Sequence, residues 1–326
     1  MSLKVSIILS VFNGEEWIDK AIKNILSQKF QNYEFLIVND GSNDSTEEKI
    51  LNYQKINNHI KYLPKNHTGL TDSLNFALNK SLGTWIARID VDDTSTQDRI
   101  LKQINFVESN KKIVLLGSNF QIRKHKNIVY KSNLPSDNNR LIYRLKNMKG
   151  FFPHSSAFFL REKAIQVGGY RSAFKKSQDH DLWLRLSEVG EIACCNDYLV
   201  EINEHPKRIT NIKTGWPQNL YAFTSITSHY LRLNNQRYLE NKIKNNKLDE
   251  TLIDLNNFLE RNNFYKVKFF KNKIKSLLQG NNKIKMIKDL IILCLSNKRI
   301  FFRALKMIIY GTNLPYKFYL TLKNED

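Results

Sequence analysis

The sequence has few of the residues that build disulfide-bonded proteins. Of its 326 residues only three are cysteines, and Cys194 and Cys195 are adjacent while Cys294 stands alone. An odd number with an adjacent pair does not form a disulfide framework, and no Cys and His spacing matches a zinc site. The scarcity of cysteine favours a reducing compartment.

Long apolar runs are also missing. A membrane-spanning helix needs ~18 or more uncharged apolar residues, and the best candidate, residues 289–296, is far too short. The first ten residues contain one short apolar run and no small-residue cleavage site, so no secretory signal is expected. These absences predict a cytoplasmic protein.

Common motifs for binding nucleotide phosphates and for serine catalysis are absent as well. The sequence contains neither G-x-x-x-x-G-K-[ST] nor G-x-G-x-x-G, so any phosphate must be bound by a cation and helix termini. The serine nucleophile motif G-x-S-x-G is also missing.

What the chain has in excess is positive charge. It carries 51 Lys and Arg against 31 Asp and Glu, a formal net charge of +20. Residues 212–326 hold 21 of the basic residues and only 8 of the acidic ones, and are nearly free of Pro and Gly after residue 217. We therefore expect a boundary near residues 205–216 and an anionic partner for the basic surface.

The first hundred residues alternate between strand and helix patterns. Short β-branched runs predict strands, and apolar residues at helical spacing predict the helices between them. Residues 45–48, Ser-Thr-Glu-Glu, fit a capping box that opens the second helix. This order predicts an α/β fold with a mostly parallel sheet flanked by helices. The predicted strands are 5–12, 34–38, 60–63, 85–89 and 113–116.

Acidic turns follow two of these strands, at Asp40 and at residues 90–93. Ligands bind beyond the carboxyl ends of parallel strands, so these turns are the first candidates for a site. Asp-x-Asp carboxylates suit Mg²⁺ or Mn²⁺ with phosphate oxygens, or they simply cap the next helix. Asp40 fits either a plain turn or an acceptor for the imide N–H of a base.

A third acidic feature, Asp179, precedes an amphipathic helix pattern at residues 182–189. An aspartate there either caps the helix and complements its dipole, or projects into a cleft as a general base.

Five segments together resemble a known family: residues 5–14, 35–44, 69–75, 83–93 and 178–186, in family order and spacing. The sequence resembles a bacterial family 2 glycosyltransferase of the GT-A fold, of the type that builds surface polysaccharides. The resemblance implies a Rossmann-like GT-A catalytic domain over residues 1–210. Its nucleotide-sugar half covers about 1–115 and its acceptor half about 116–210, and a basic, mostly α-helical region follows at 211–326.

The resemblance also implies the donor site. Val11, Phe12 and Glu15 would line the nucleotide pocket, and Asp40 would bind the uracil ring. Asp90 and Asp92 form the D-x-D element, with Asp90 at the ribose and Asp92 at a Mn²⁺ or Mg²⁺ ion that bridges the diphosphate. Asp93 is the alternative metal ligand.

The implied activity is an inverting, metal-dependent hexosyl transfer. Asp179 would be the catalytic base, with the residues near the acceptor or sugar being His154, Asp181 and Trp183. The donor would be a nucleotide-sugar, UDP-linked by expectation. The acceptor would be a saccharide or lipid-linked saccharide of a capsule, O-antigen or lipooligosaccharide.

The sequence departs from the family pattern at four places. Ser10 replaces a proline, Asn39 replaces the first aspartate of Asp-Asp-Gly-Ser, and Gln178 replaces a glutamate before the base. Of the later Tyr-Arg-x-His segment only His205 remains.

Residues 277–309 interleave apolar side chains with Lys and Arg, which predicts amphipathic basic helices. Such helices would pack on the catalytic domain, bind the anionic inner face of the plasma membrane as a peripheral protein does, or form a homodimer. The rival functions are a nucleic-acid or membrane-surface binding protein on a catalytically silent GT-A scaffold, and a sugar nucleotidyltransferase. Specific nucleic-acid binding is not expected, because it would not explain the acidic turns.

Overall fold

A computed structural model describes residues 4–206, 215–245, 247–262 and Ile274. Contacts divide the chain into two compact units. The first comprises residues 1–145 and 150–219, and the second comprises 146–149 and 220–326. The amphipathic basic helices predicted between residues 277 and 309 lie outside the described residues.

The first unit alternates strands and helices along the chain, and its described residues form one sheet of nine strands. The strands are β1 (Val5–Val11), β2 (Tyr33–Asp40), β3 (Ile60–Lys65), β4 (Trp85–Arg88), β5 (Thr94–Ser95), β6 (Ile113–Lys124), β7 (Asn127–Lys131), β8 (Phe158–Leu160) and β9 (Glu191–Asn203). The helices are α1 (Ile18–Leu26), α2 (Thr46–Ile56), α3 (Leu70–Lys80), α4 (Arg99–Ser109), α5 (Asn138–Lys146), α6 (Arg161–Gln166) and α7 (Gln178–Leu186).

The strand order is β3-β2-β1-β4-β8-β6-β9-β5, with β7 added on β6. Strands β1 to β4 pair in parallel, as do β6 and β9, whereas β5, β7 and β8 pair antiparallel to their neighbours. The prediction of a mostly parallel α/β sheet flanked by helices is confirmed.

The central strands are apolar because both of their faces are covered. Val5, Ile7 and Leu9 on one face of β1 are fully buried in a cluster that includes residues of α1 and α4. Helix α3 contacts β1 and β2. Burial on both sides explains why β1 and β2 are near-continuous hydrophobic runs in the sequence.

Two local predictions differ from the structure. Ser45 does not close a capping box, because its hydroxyl donates to Glu15 Oε2 at 2.8 Å and Asp44 Oδ1 accepts the Thr46 N–H instead. Strand β6 runs to Lys124, beyond the predicted end at residue 116, because it pairs with β7 and β9 along its second half. Such long-range pairing leaves no signal in a short window of sequence.

The described part of the second unit is helical, as predicted for this region. It contains most of α8 (Gly215–Leu233), with α9 (Tyr238–Lys244) and α10 (Leu248–Arg261). The buried side chains of α9 and α10 include Leu239, Ile243, Leu255 and Leu259. Among the described residues, no helix combines the length and the hydrophobicity that crossing a membrane requires.

Candidate active site

A cavity of about 400 Å³ opens at the carboxyl ends of β1, β2 and β4. Four of the residues predicted to bind nucleotide line it, and so does the predicted metal ligand Asp92. Its full lining is Ser10, Val11, Phe12, Asn13, Gly14, Trp17, Asp40, His67, Gly69, Leu70, Asp90, Val91, Asp92 and His205. The parallel strands bring these loops together because their carboxyl ends meet at one edge of the sheet.

A second cavity, of about 180 Å³, shares three wall residues with the first: Leu70, Asp90 and Asp92. The predicted base Asp179 and the predicted acceptor residue His154 both line it. The remaining lining residues are Lys175, Lys176, Ser177, Gln178 and Gln218. The aspartates after β4 therefore stand between a larger cavity and a smaller one.

Asp40 is held at the bottom of the larger cavity by a dense set of donors. Its carboxylate accepts hydrogen bonds from Lys65 Nζ at 2.5 Å, Ser73 Oγ at 2.8 Å and the backbone N–H groups of Thr68 and Gly69. Burial alone raises the pKa of Asp40, but these hydrogen bonds outweigh it and hold the pKa below the usual value. A base N–H that binds Asp40 must therefore share its oxygens with this loop.

The mouth of the larger cavity has an aromatic wall that the sequence did not reveal. The rings of Phe12 and His67 lie 4.1 Å apart at a tilt of 32°, and Phe12 is 47% exposed. His67 Nδ1 lies 3.0 Å from the backbone oxygen of Asp40. Only the position of His67 after β3, next to β2 in the sheet, would have pointed to it. This wall offers a flat surface to an aromatic ring.

The three aspartates of the acidic turn have different surroundings. Asp90 Oδ1 lies 2.5 Å from the guanidinium of Arg88, which is fully buried, and Asp90 Oδ2 accepts from Ser155 at 2.8 Å. Asp93 is 2% exposed, its Oδ2 lies 2.5 Å from the same Ser155 oxygen, and it lines neither cavity. Only Asp92 of the two predicted metal ligands reaches the shared wall.

Asp92 is paired with a histidine that follows β9, the last strand of the sheet in chain order. His205 Nε2 lies 2.8 Å from Asp92 Oδ2, and the Trp17 ring stacks on His205 at 4.7 Å. Among the described residues no hydrogen-bond partner reaches the buried Nδ1 of His205. The Asn203 side chain fixes the turn by donating to the Asp92 backbone oxygen at 2.6 Å.

This pair fits a divalent metal, with the donor set limited to two side chains. No group of three or more His, Cys, Asp or Glu with metal-binding geometry occurs in the part of the chain that the structure describes. The carboxylate oxygen suits both Mn²⁺ and Mg²⁺. The imidazole nitrogen lies outside the oxygen ligands that Mg²⁺ prefers, so the pair suits Mn²⁺ better. The remaining coordination positions would fall to ligand oxygens and water.

Asp179 sits in the first turn of α7, after Ser177 in the left-handed conformation (φ 53°). Its Oδ1 accepts from the His180 N–H at 2.7 Å, and the side chain is partly exposed in the smaller cavity. Burial, followed by the charge of Arg88, lowers the pKa of His154 to about 4, so this imidazole is neutral near pH 7. His154 Nε2 lies 2.8 Å from the Tyr170 hydroxyl.

Besides Asp93, three predicted site residues line neither cavity. Asp181 is 0% exposed and is paired with Arg171 and with Arg185, whose Nη2 lies 2.7 Å from Asp181 Oδ2. Trp183 is 1% exposed and packs edge-on against His154 at 5.7 Å. Glu15 is exposed, and hydrogen bonds from Ser45 lower its pKa. Their positions favour supporting roles over contact with a substrate.

Comparison with known proteins agrees with this architecture. The sequence model described as Glycosyl transferase family 2 matches residues 6–169. An uncharacterized glycosyltransferase of Haemophilus influenzae is 27% identical over 220 residues, 64% of this chain and 68% of the relative. The O-antigen biosynthesis glycosyltransferase WbnJ of Escherichia coli is 28% identical over 191 residues, 57% of this chain and 74% of the relative. The putative glycosyltransferase EpsE of Bacillus subtilis is 31% identical over 57% of this chain and 68% of the relative.

Solved structures share the fold at low sequence identity. S. aureus TarS 1–349 matches with a TM-score of 0.56 and 15% identity, over 75% of this chain and 70% of that protein. The mannosyltransferase PcManGT of Pyrobaculum calidifontis, in complex with GDP-Man and Mn²⁺, matches with a TM-score of 0.52 and 14% identity, over 95% of this chain and 88% of that one. On the family match and this fold, the chain belongs to glycosyl transferase family 2 and is a glycosyltransferase with a GT-A α/β sheet.

Proposed function

We propose that the protein transfers a sugar from a nucleoside-diphosphate sugar to the hydroxyl of a saccharide or lipid-linked saccharide, with inversion at the anomeric carbon. One observation carries the proposal: a cavity with an aromatic wall and a smaller cavity with a carboxylate share Asp90 and Asp92 as a common wall. The larger would hold the donor nucleotide and the smaller the acceptor. Transfer would then take place beside the shared wall.

The donor cavity favours a base with an imide-type edge. Asp40 lines this cavity as a hydrogen-bond acceptor. Uracil and guanine both present a ring N–H next to a carbonyl oxygen, whereas adenine and cytosine do not, so an acceptor here favours uracil or guanine. Solved structures hold TarS 1–349 in complex with UDP and with UDP-GlcNAc, and PcManGT in complex with GDP-Man and Mn²⁺. We expect UDP as the donor nucleotide, with GDP as the competing outcome.

Asp92 and His205 are the residues that would hold Mn²⁺ or Mg²⁺. When bound, the ion would neutralise the charge that develops on the departing nucleoside diphosphate. Arg88 orients the Asp90 carboxylate through their ion pair, and Trp17 orients the His205 ring by stacking on it. Of the two carboxylates in the shared wall, Asp90 is thus engaged by an arginine and Asp92 by a histidine.

Asp179 would act on the acceptor. Its carboxylate accepts the proton of the acceptor hydroxyl as that oxygen attacks the anomeric carbon, and the donor's glycosidic electron pair leaves with the nucleoside diphosphate. One displacement inverts the anomeric centre, and Asp179 then releases its proton to water. Neutral His154, on the same cavity wall, offers a hydrogen bond without competing for the proton.

The first experiment measures thermal stability with UDP, GDP, CDP or ADP, each with Mn²⁺ and then with EDTA. A ligand at 100 times its dissociation constant adds about 2.7 kcal/mol of stability. We expect this stabilisation with UDP, or with GDP, in the presence of Mn²⁺. The stabilisation should be lost in EDTA and in the variants Asp92→Asn and His205→Ala. Asp197→Asn, an exposed acid outside both cavities, is the matched control.

The second experiment follows UDP release from UDP-Glc and UDP-GlcNAc with a panel of saccharide acceptors. Asp179→Asn should lower turnover by about 10²–10⁴-fold while the UDP thermal shift stays at the wild-type value. Equal stabilisation by all four nucleotides, or none by any, would contradict the donor site. Undiminished turnover in Asp179→Asn would contradict its role as base. A peripheral position on the cytoplasmic membrane face and a homodimer stay predictions.

A further inference from the structure

The hairpin formed by the end of β6 and by β7, residues 121–131, exposes apolar side chains. Every residue of β7 is exposed, with Ile128 at 42%, Val129 at 55% and Tyr130 at 48%. Tyr198 of β9, 38% exposed, lies nearby, with Lys131 Nζ 5.7 Å from its ring centroid. Single exposed apolar residues are ordinary on a protein surface, but a contiguous group indicates a contact surface.

The charge of this hairpin has one sign. Residues 109–136 contain no Asp or Glu, and residues 121–131 contain four Lys and Arg. Arg123 is paired with Glu201 at 2.7 Å, and Lys124 lies 3.9 Å from Glu204. Lys126 and Lys131 have no carboxylate partner within the described ranges. The hairpin therefore presents aliphatic and aromatic side chains among uncompensated positive charges.

The hairpin begins at the edge of the sheet that carries the candidate active site. Strands β6 and β9 run in parallel with Arg123 opposite Asn203, and the Glu204 N–H donates to the Arg123 oxygen at 2.8 Å. The next residue along, His205, is the partner of Asp92. The exposed hairpin and the shared wall of the two cavities are thus joined through three consecutive residues of one strand end.

We propose that the hairpin of residues 121–131 docks on an anionic lipid bilayer and holds the candidate active site at the membrane surface. Lysines near such a surface are attracted by its negative potential, and the apolar side chains between them enter the headgroup region. The hairpin is separate from the C-terminal basic region in which the sequence analysis expected membrane contact.

Two other occupants fit the hairpin less well. A second copy pairing along β7 would place like charges opposite one another, which destabilises strand pairs. A nucleic acid would match the positive charge but would gain little from Ile128 and Val129, since single-stranded nucleic acids bind through stacking on aromatic rings. Charge and aliphatic exposure together favour the bilayer.

The test measures partition of the full chain onto vesicles of pure phosphatidylcholine and of phosphatidylcholine with 30% phosphatidylglycerol. The triple variant Lys124→Gln, Lys126→Gln, Lys131→Gln should bind the anionic vesicles at least tenfold more weakly, because each lysine contributes about fivefold. The control is Lys20→Gln, Lys55→Gln, Lys61→Gln, which removes the same charge from exposed positions elsewhere.

A second pair of variants tests the apolar part. Ile128→Thr with Val129→Thr keeps β-branched side chains and should weaken partition to a similar extent at low and at high salt, since apolar burial is not screened. Ile56→Thr with Leu82→Thr, at positions 81% and 72% exposed, is its control. Unchanged thermal midpoints and UDP shifts establish that the variants are folded, and the vesicle readout needs no sugar transfer.

Four outcomes would overturn the proposal. The first is equal partition of the hairpin variants and wild type, and the second is equal binding to neutral and anionic vesicles. The third is binding of nucleic acid, but not vesicles, that the hairpin variants abolish. The fourth is a dimer in sedimentation that Val129→Thr dissociates.

Discussion

Aspartates that are neighbours in the sequence have different neighbours in the folded protein. Asp90 is paired with a buried arginine, Asp92 with His205, and Asp93 points to Ser155 beneath the turn. Burial and, to a smaller extent, the charge of Arg88 lower the pKa of Arg99 to about 9, against the opposing effect of Asp93. The two buried guanidinium groups explain why a turn with three carboxylates is stable. Asp90 and Asp92 both reach the shared wall, and Asp92 has a histidine beside it.

The charges of Asp181 and Asp179 should contribute very different amounts to the free energy of unfolding. Asp181→Asn leaves Arg171 and Arg185 without their buried counter-charge and should cost about 3–5 kcal/mol of folding free energy. Asp179→Asn, in the partly exposed cavity wall, should change the free energy of unfolding by less than about 1 kcal/mol. Urea unfolding measures both. A stable Asp181→Asn variant that has lost sugar transfer would instead restore the expected role of Asp181 at the acceptor.

His154 should make folding sensitive to acid. Its pKa is about 4 in the folded protein and ~6.5 in the unfolded chain, so the unfolded chain takes up a proton that the folded protein does not. Stability should therefore fall as the pH drops from about 6.5 to 4, by about 1–3 kcal/mol from this residue, and this contribution should level off below pH 4.

The variant His154→Asn should show a shallower loss of stability over that pH range. Urea unfolding at pH 7.5, 6.5, 5.5 and 4.5 measures it. Between pH 7.5 and 9 the curves of wild type and variant should run parallel, because the imidazole is neutral in both states there. An equal slope for wild type and variant between pH 6.5 and 4.5 would show that His154 takes up its proton in the folded protein.

At the scale of elements, the loops after adjacent parallel strands hold one another. The loop after β3 reaches Asp40 at the end of β2 through Lys65, Thr68 and Gly69. Gly41 permits this contact, since it has φ +75° and an added Cβ would lie 2.7 Å from the backbone nitrogen of His67. The aromatic wall and the bottom of the larger cavity therefore depend on one glycine.

Gly41→Ala should weaken both folding and nucleotide binding. Strain at a positive φ and the clash with the His67 backbone together should cost about 2–4 kcal/mol. The displaced loop should lower UDP affinity about tenfold, which corresponds to about 1.4 kcal/mol. Titration calorimetry and urea unfolding measure the two effects.

Gly168→Ala is the matched control for this prediction. Gly168 has φ +87° but no atom within 4 Å of an added Cβ. The Gly168→Ala variant should lose only about 1–2 kcal/mol of stability and keep the UDP affinity of the wild type. Equal losses of affinity in both variants would attribute the effect of Gly41→Ala to general destabilisation instead of to the loop.

At the scale of the whole molecule, acidic groups of the site stand in a chain of formal charge +20. The positive surroundings attract an anionic donor toward the cavities, an effect that salt screens over a distance of about 10 Å at 0.1 M. The same charge repels itself in the folded state and so opposes compactness.

Raising NaCl from 20 to 300 mM should therefore raise the thermal midpoint. Each 1 kcal/mol of folding free energy that is gained by screening this repulsion should raise the thermal midpoint by about 2–4 °C. The triple variant Lys20→Gln, Lys55→Gln, Lys61→Gln, with three fewer positive charges, should show a smaller rise. A midpoint that falls with salt would mean that attractive ion pairs such as Arg232 with Glu240, 2.8 Å apart, outweigh the repulsion.

Much of the fold and part of the site follow from local sequence patterns. Apolar runs located β1 and β2, helical spacing located α1 and α3, and the strand ends pointed to Asp40 and Asp92, because strand alternation and helical periodicity repeat within a few residues. The same patterns missed His67, which carries no motif. The family resemblance, which placed Asp181 and Asp93 at the site, gave no sign that both are buried and line neither cavity.

The sequence by itself determined the α/β order, the acidic strand ends and the family, since each depends on residues close together in the chain. Only the tertiary structure decided which side chains meet. His205 joins Asp92 because β5, which directly follows the acidic turn, pairs antiparallel with β9, with Thr94 opposite Glu201. Packing likewise decided that Asp181 lies buried against Arg171 and Arg185, and Asp93 against Ser155, because the burial of a side chain depends on which elements cover it.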